Sequence, residues 1–98
     1  MVEQGDIIQI TGEDRLALVV SKNYYNESGK AILCPVYKQD FGTAFCQEIE
    51  LDGEKAFVCC DSVKQMDIET RGYSKMGRLH LGKLIQVVNL IKAIVDYA

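Results

Sequence analysis

The sequence has one proline, one histidine and no long apolar run, and each shortage excludes something. A single proline with hydrophobic residues at 48% of the chain is not the composition of a disordered segment. No stretch approaches the ~20 apolar residues that a membrane helix requires. The start, MVEQGDIIQI, lacks a positive opening, a continuous apolar run and a small-residue cleavage site. It is therefore not read as a signal peptide, and the expected location is the cytoplasm. There is no internal repeat and no low-complexity tract. Ninety-eight residues are read as one domain, 1–98, able to bury a single core.

Close cysteine pairs are also missing. The four cysteines are Cys34, Cys46, Cys59 and Cys60, and no C-x₂-C spacing occurs among them. Structural zinc sites place ligands in such pairs because one turn must wrap the ion. His80 lies 20 residues beyond Cys60, and adjacent strand residues such as Cys59 and Cys60 point to opposite faces. The cysteines are read as small buried hydrophobes in strands. Neither a metal nor a cofactor is expected.

The formal net charge is −3, which argues against a protein that coats nucleic acid through its overall field. The charge is uneven, however. Residues 1–61 carry 5 Lys/Arg and 11 Asp/Glu, whereas residues 62–98 carry 6 and 3. The last third has room for a modest basic surface.

What is present is a succession of short β signals. Gly5-Asp6 leads into Ile7, Ile8 and Ile10; RLALVVSK (15–22) follows the turn-forming Thr11–Asp14; KAILCPVY (30–37) follows the loop NYYNESGK (23–30). Pro35 places an edge or a bulge near the end of that third strand. KQDFGTA (38–44) reads as a loop, and residues 45–51 alternate as a half-buried strand. Asp52-Gly53 is a hairpin signal feeding AFVCC (56–60). From Leu81 the apolar positions Leu84, Ile85, Val87, Val88, Ile91, Ile94 and Val95 recur close to a 3.6-residue period, opposite Gln86, Asn89, Lys92 and Asp96. This predicts an amphipathic C-terminal helix whose wide apolar stripe packs on the sheet, with width left over for a dimer contact. Five to six antiparallel strands and one helix make a small, mainly β barrel.

Four stretches in this order resemble the MazF/PemK (Kid) family of bacterial toxins. QGDIIQI (4–10) looks like the family's opening G-[DE]-[IV] strand. RLALVVSKNYYN (15–26) is similar to R-P-[AV]-L-V-[IV]-[ST] with its Asn-containing loop. AILCPVY (31–37) resembles V-x-x-P-[IV]-T, and FVCCDSVKQMDIETRG (57–72) resembles V-x-x-D-Q-x-R-T-[IL]-D-x-x-R. The resemblance covers nearly the whole chain. It implies an SH3-like barrel with a C-terminal helix, like that of MazF, PemK and the gyrase poison CcdB. It also implies a homodimer, an antitoxin partner and metal-independent cleavage of single-stranded RNA.

The departures fall around the implied active site. The family's long first loop is cut to Thr11–Asp14, so its site cover, and the histidine that some members carry there, are absent. Leu16 replaces a proline, Tyr37 stands where many members have an active-site threonine, and Lys64 replaces an arginine. Cys59 stands where some members have a catalytic arginine. Arg15 and Asp61 match.

Metal-independent RNA cleavage uses the 2′-OH as nucleophile on its own phosphate. It requires a base at that hydroxyl, an acid at the leaving 5′-oxygen and positive charge on the developing phosphorane. The resemblance makes Asp61 the candidate base and Arg15 the candidate phosphate-binding group, whose guanidinium fork suits phosphate. Tyr37, Lys64 and Cys59 are candidates for the acid or for RNA contact, and Ser21, Lys38 and Gln39 are further candidates. Each has a plainer reading: Arg15 paired with Glu13 or Asp14, Asp61 as a strand-end turn residue, Tyr37 as a half-buried aromatic, Lys64 solvated, Cys59 packed. His80 reads as the residue before the helix. With two site positions changed, the sequence also fits a barrel that binds RNA or protein without cutting.

Overall fold

The computed structural model describes residues 1–40, 42 and 44–95. Phe41 and Thr43 of the expected 38–44 loop, and Asp96 of the expected polar helix face, lie outside the described residues. Seven strands form one antiparallel sheet: β1 (Asp6–Ile10), β2 (Leu16–Val19), β3 (Lys30–Tyr37), β4 (Cys46–Leu51), β5 (Glu54–Cys59), β6 (Lys64–Asp67) and β7 (Tyr73–Arg78). Two short helices, α1 (Asn23–Asn26) and α2 (Ile68–Arg71), and the longer α3 (Leu81–Val95) complete the order. The mainly β fold with a C-terminal helix is as expected. One correction applies, in that α1 occupies part of the expected 23–30 loop; β7 is a strand that the sequence pattern does not signal.

The strand order is β4-β5-β3-β2-β1-β7, with β6 also paired to β3. The sheet curls until its outer strands approach. A Cβ on Gly77 of β7 would come within 3.3 Å of Leu51 Cδ1 on β4, so only glycine fits there without a shift. Because of the curl, β1 and β2 bury both faces, which is why they read as nearly continuous apolar runs. Ile7, Leu18, Cys34, Val36, Val58 and Cys60 form one core cluster with Leu84 and Val87 of α3. Ile8, Ile10, Val19, Leu33, Met66 and Ile68 form the other.

Cys59 and Cys60 do point to opposite faces: Cys60 packs in the helix-covered cluster, while Cys59 faces Cys46. On α3, Leu84 and Val87 are buried, whereas Leu81, Ile85 and Val95 remain exposed along the width not used by the sheet. Among the described residues no helix is long and apolar enough to cross a membrane.

Candidate active site

The site is built where β2 meets β3. The register pairs Leu16 with Val36 and Ala17 with Pro35, so Arg15 and Tyr37 are the next facing positions. Their side chains meet: the guanidinium carbon of Arg15 lies 5.2 Å from the centre of the Tyr37 ring, within cation–π range. The expected alternative, a pair with Glu13 or Asp14, is not what forms. Glu13 is held instead by Arg71 of α2 at 2.8 Å. Among the described residues no carboxylate makes an ion pair with Arg15.

The short β1–β2 turn that carries Arg15 is fixed from several directions. Glu13 N–H donates to the Ile10 carbonyl at 3.0 Å and Thr11 N–H to the Gly72 carbonyl at 3.0 Å. Gln9 Nε2 donates to the Glu13 carbonyl at 3.1 Å. Arg71 was not singled out from the sequence, because its partner lies 58 positions away.

Two cavities adjoin at the Arg15–Tyr37 pair and share it. One, of about 550 Å³, has Leu16, Val36, Leu51 and Ala56 at its base and Lys38 at its rim. The other, of about 270 Å³, runs between Leu33, Pro35 and Tyr37 of β3 and Ser62, Lys64 and Met66 opposite. It lies where β3 changes partner, from β6 at Lys30–Leu33 to β5 at Val36–Tyr37. Pro35 stands in that gap. Lacking an N–H, it leaves no donor unpaired where the ladder is interrupted.

The expected residues therefore separate. Arg15, Tyr37 and Lys64 line one cavity together. Lys38 lines the other and also reaches Glu54 at 3.5 Å, both ends well exposed. Gln39 is exposed after β3 and lines neither cavity. Asp61 is exposed in the β5–β6 turn, beside Ser62 of the cavity wall, but does not itself line it.

Ser21 does not join the site. It is buried, with its Oγ donating to Asn26 Oδ1 and accepting from the Ile32 N–H at 3.0 Å, and it ties the β2–β3 connection together. His80 is exposed at the start of α3, where its carbonyl accepts from the Leu84 N–H at 2.9 Å.

Cys59 is buried, with its sulfur 3.2 Å from that of Cys46. Burial first, and then the Cys46 contact, push the Cys59 thiol up to about 12. A thiol held that high and that deep is a poor proton donor at neutral pH. The reading of Cys59 as the acid is thus disfavoured, and its packing role stands. The Cys46 contact went unread in the sequence, although the Asp52-Gly53 turn carries the signal: a two-residue hairpin centred there sets Cys46 opposite Cys59. Among the described residues, no group of three or more His, Cys, Asp or Glu is placed to hold a metal ion.

A cationic fork over an aromatic ring, with a lysine across a cavity, can hold a phosphate beside a stacked base. Solved structures with this fold include the MazE–MazF complex of Deinococcus radiodurans in its Form-I crystal. That chain superposes at a TM-score of 0.87 with 23% identity over 98% of this chain and 97% of its own. MazF of the same organism (Form-I) superposes at 0.84, with 20% identity over 98% and 97%. An endoribonuclease in complex with its cognate antitoxin, from a mycobacterial species, superposes at 0.83 with 10% identity over 100% of both chains. Identities this low establish a shared fold. Among curated proteins, none matches by sequence. The family profile of PemK-like, MazF-like toxins of type II toxin–antitoxin systems matches residues 3–95, and the chain belongs to that family.

Proposed function

We propose that this toxin-family protein is a metal-independent endoribonuclease that cleaves single-stranded RNA and is neutralised by a cognate antitoxin. The observation that carries the proposal is the meeting of Arg15, Tyr37 and Lys64 on one solvent-open cavity. Arg15 grips the scissile phosphate and stabilises the charge that develops on it. Tyr37 supplies the aromatic ring against which an unpaired base stacks, and Lys64 contacts a neighbouring phosphate. Asp61, on the adjoining turn, takes the 2′-OH proton as the oxygen attacks phosphorus. The bond to the 5′-oxygen breaks and that oxygen takes a proton from a water in the open cavity, leaving a 2′,3′-cyclic phosphate and a 5′-hydroxyl. The exposed Leu81, Ile85 and Val95 of α3 support a homodimer, and a cytoplasmic location accords with the reading.

A specific observation supports a second reading. Cys59 stands where some family members place a catalytic arginine, and it is turned into a buried thiol contact. On that reading the barrel binds RNA or a protein partner without cutting. A comparison of RNA with DNA of the same sequence tests the proposal. RNA should yield fragments ending in a 2′,3′-cyclic phosphate while the DNA stays intact. Binding of RNA without cleavage would favour the second reading.

A further inference from the structure

The sulfur atoms of Cys46 and Cys59 face each other across the β4–β5 hairpin at 3.2 Å. The Cys60 N–H donates to the Phe45 carbonyl at 2.9 Å just beyond them, the bond that flanks a non-hydrogen-bonded cross-strand pair. Cα atoms at such positions are ~4.5 Å apart, the closer of the two antiparallel spacings. Disulfides span Cα separations of roughly 4.4–6.8 Å, so the backbone need not move for a bond to close. The hairpin holds this register firmly: Asp52 (φ 53°) and Gly53 (φ 79°) both adopt the left-handed conformation that a type I′ turn requires.

The other two cysteines are set apart. Cys34 and Cys60 are buried in the helix-covered core, and the Cys60 thiol donates to the Val58 carbonyl at 3.7 Å. Cys46 is half-buried and is the more accessible member of the facing pair.

We propose that Cys46 and Cys59 form an oxidative modification site, closing to an intramolecular disulfide on exposure to a low-molecular-weight disulfide such as oxidised glutathione. Cys46 gives up its proton, and its sulfur attacks one sulfur of the reagent. The reagent's S–S bond breaks, and the first thiolate leaves and is protonated. Cys59 then gives up its proton, and its sulfur attacks Cys46 Sγ in the mixed disulfide and releases the second thiol. The protein dithiol loses two electrons, which reduce one reagent disulfide to two thiols. Burial, which holds the Cys59 thiol up at about 12, makes the second step slow. The inference rests on the hairpin alone and is independent of the ribonuclease reading.

The test uses the whole wild-type protein incubated with oxidised glutathione, quenched in acid, unfolded and alkylated. The expected result is a mass lower by two hydrogen atoms, with two thiols still alkylatable and the peptides of Cys46 and Cys59 linked. Dithiothreitol should reverse it, and the melting temperature of the oxidised form should be higher by roughly 5 °C or more. Cys46→Ser should keep its three thiols under the same treatment. Four alkylatable thiols in the wild type, a glutathione adduct that persists on Cys46, or a link through Cys34 or Cys60 would overturn the proposal.

Discussion

The guanidinium of Arg15 lies over the ring of Tyr37, 5.2 Å from its centre, while the neighbouring Glu13 is bound to Arg71 instead. The separation of roles leaves the Arg15 charge facing the cavities rather than a carboxylate. It also orients a flexible side chain against a half-buried ring, at a gain of about 0.5–1 kcal/mol for a surface cation–π contact.

If Arg15 stabilises the reacting phosphate, Arg15→Ala should lower kcat/KM for RNA by about 10²–10³-fold. Arg15→Lys should recover only a minor part, because an ammonium has no bidentate fork. Neither change should shift the melting temperature by more than a few degrees, since the side chain is exposed. Initial rates and thermal melts on the same preparations separate the two effects.

Tyr37 should act in binding. Replacing it with Ala should weaken the affinity for an uncleavable 2′-O-methyl oligonucleotide by about 1–3 kcal/mol, the range for a lost base stack. Tyr37→Phe keeps the ring and should stay within about threefold of wild type. Fluorescence anisotropy at one fixed salt concentration measures both.

At the opposite end of β1, Asp6 is buried, and its carboxylate accepts from Arg78 at 2.8 Å and lies 3.4 Å from Lys75 Nζ. It also accepts from the Glu3 N–H at 2.8 Å. Asp6→Ala should therefore cost about 1.5–3 kcal/mol in urea denaturation, the range for lost hydrogen bonds to a charged group, since Arg78 and Lys75 are themselves half exposed and are not left buried. Glu3→Ala breaks only an exposed 3.3 Å contact with Arg78 and should cost less than about 1 kcal/mol.

The protein should lose stability in alkali. Burial pushes the Cys34 and Cys59 thiols up to about 12 and Cys60 to about 11, from an ordinary value of 9.0. The folded state therefore keeps protons that the unfolded chain releases above pH 9.0. The stabilisation is complete below that value and is lost as pH climbs toward 11 to 12. Each thiol contributes a downward slope of at most about 1.4 kcal/mol per pH unit. Urea denaturation at several pH values in that window should show the decline, and Cys34→Ala should make it shallower. A flat profile would contradict it.

How much could be read beforehand depended on how local each signal was. The β4–β5 hairpin was legible because Asp52-Gly53 fixes the turn and the alternation beyond it. Helix α3 was legible because its buried Leu84 and Val87 sit on a 3.6-residue stripe. Strand β7 was not: Ser74, Lys75, Met76 and Arg78 are exposed, so YSKMGR shows no apolar alternation. It is held by backbone pairing with β1, with a register shift at Ile7/Ile8 that the sequence does not announce.

The site divided in the same way. Arg15 and Asp61 were picked out through the family resemblance, but the contact of Arg15 with Tyr37 depends on the β2–β3 register. A connection of ten residues, with α1 inside it, separates those strands and hides their alignment. Ser21 looked like a site hydroxyl, yet it is consumed by the Asn26 contact that shapes this same connection.

The most direct test is a gel of long single-stranded RNA incubated in EDTA with the wild-type protein, Arg15→Ala and Asp61→Ala side by side. The account predicts fragments with the wild type, and few or none with either variant. Intact RNA in the wild-type lane, or equal cleavage by all three proteins, would contradict it.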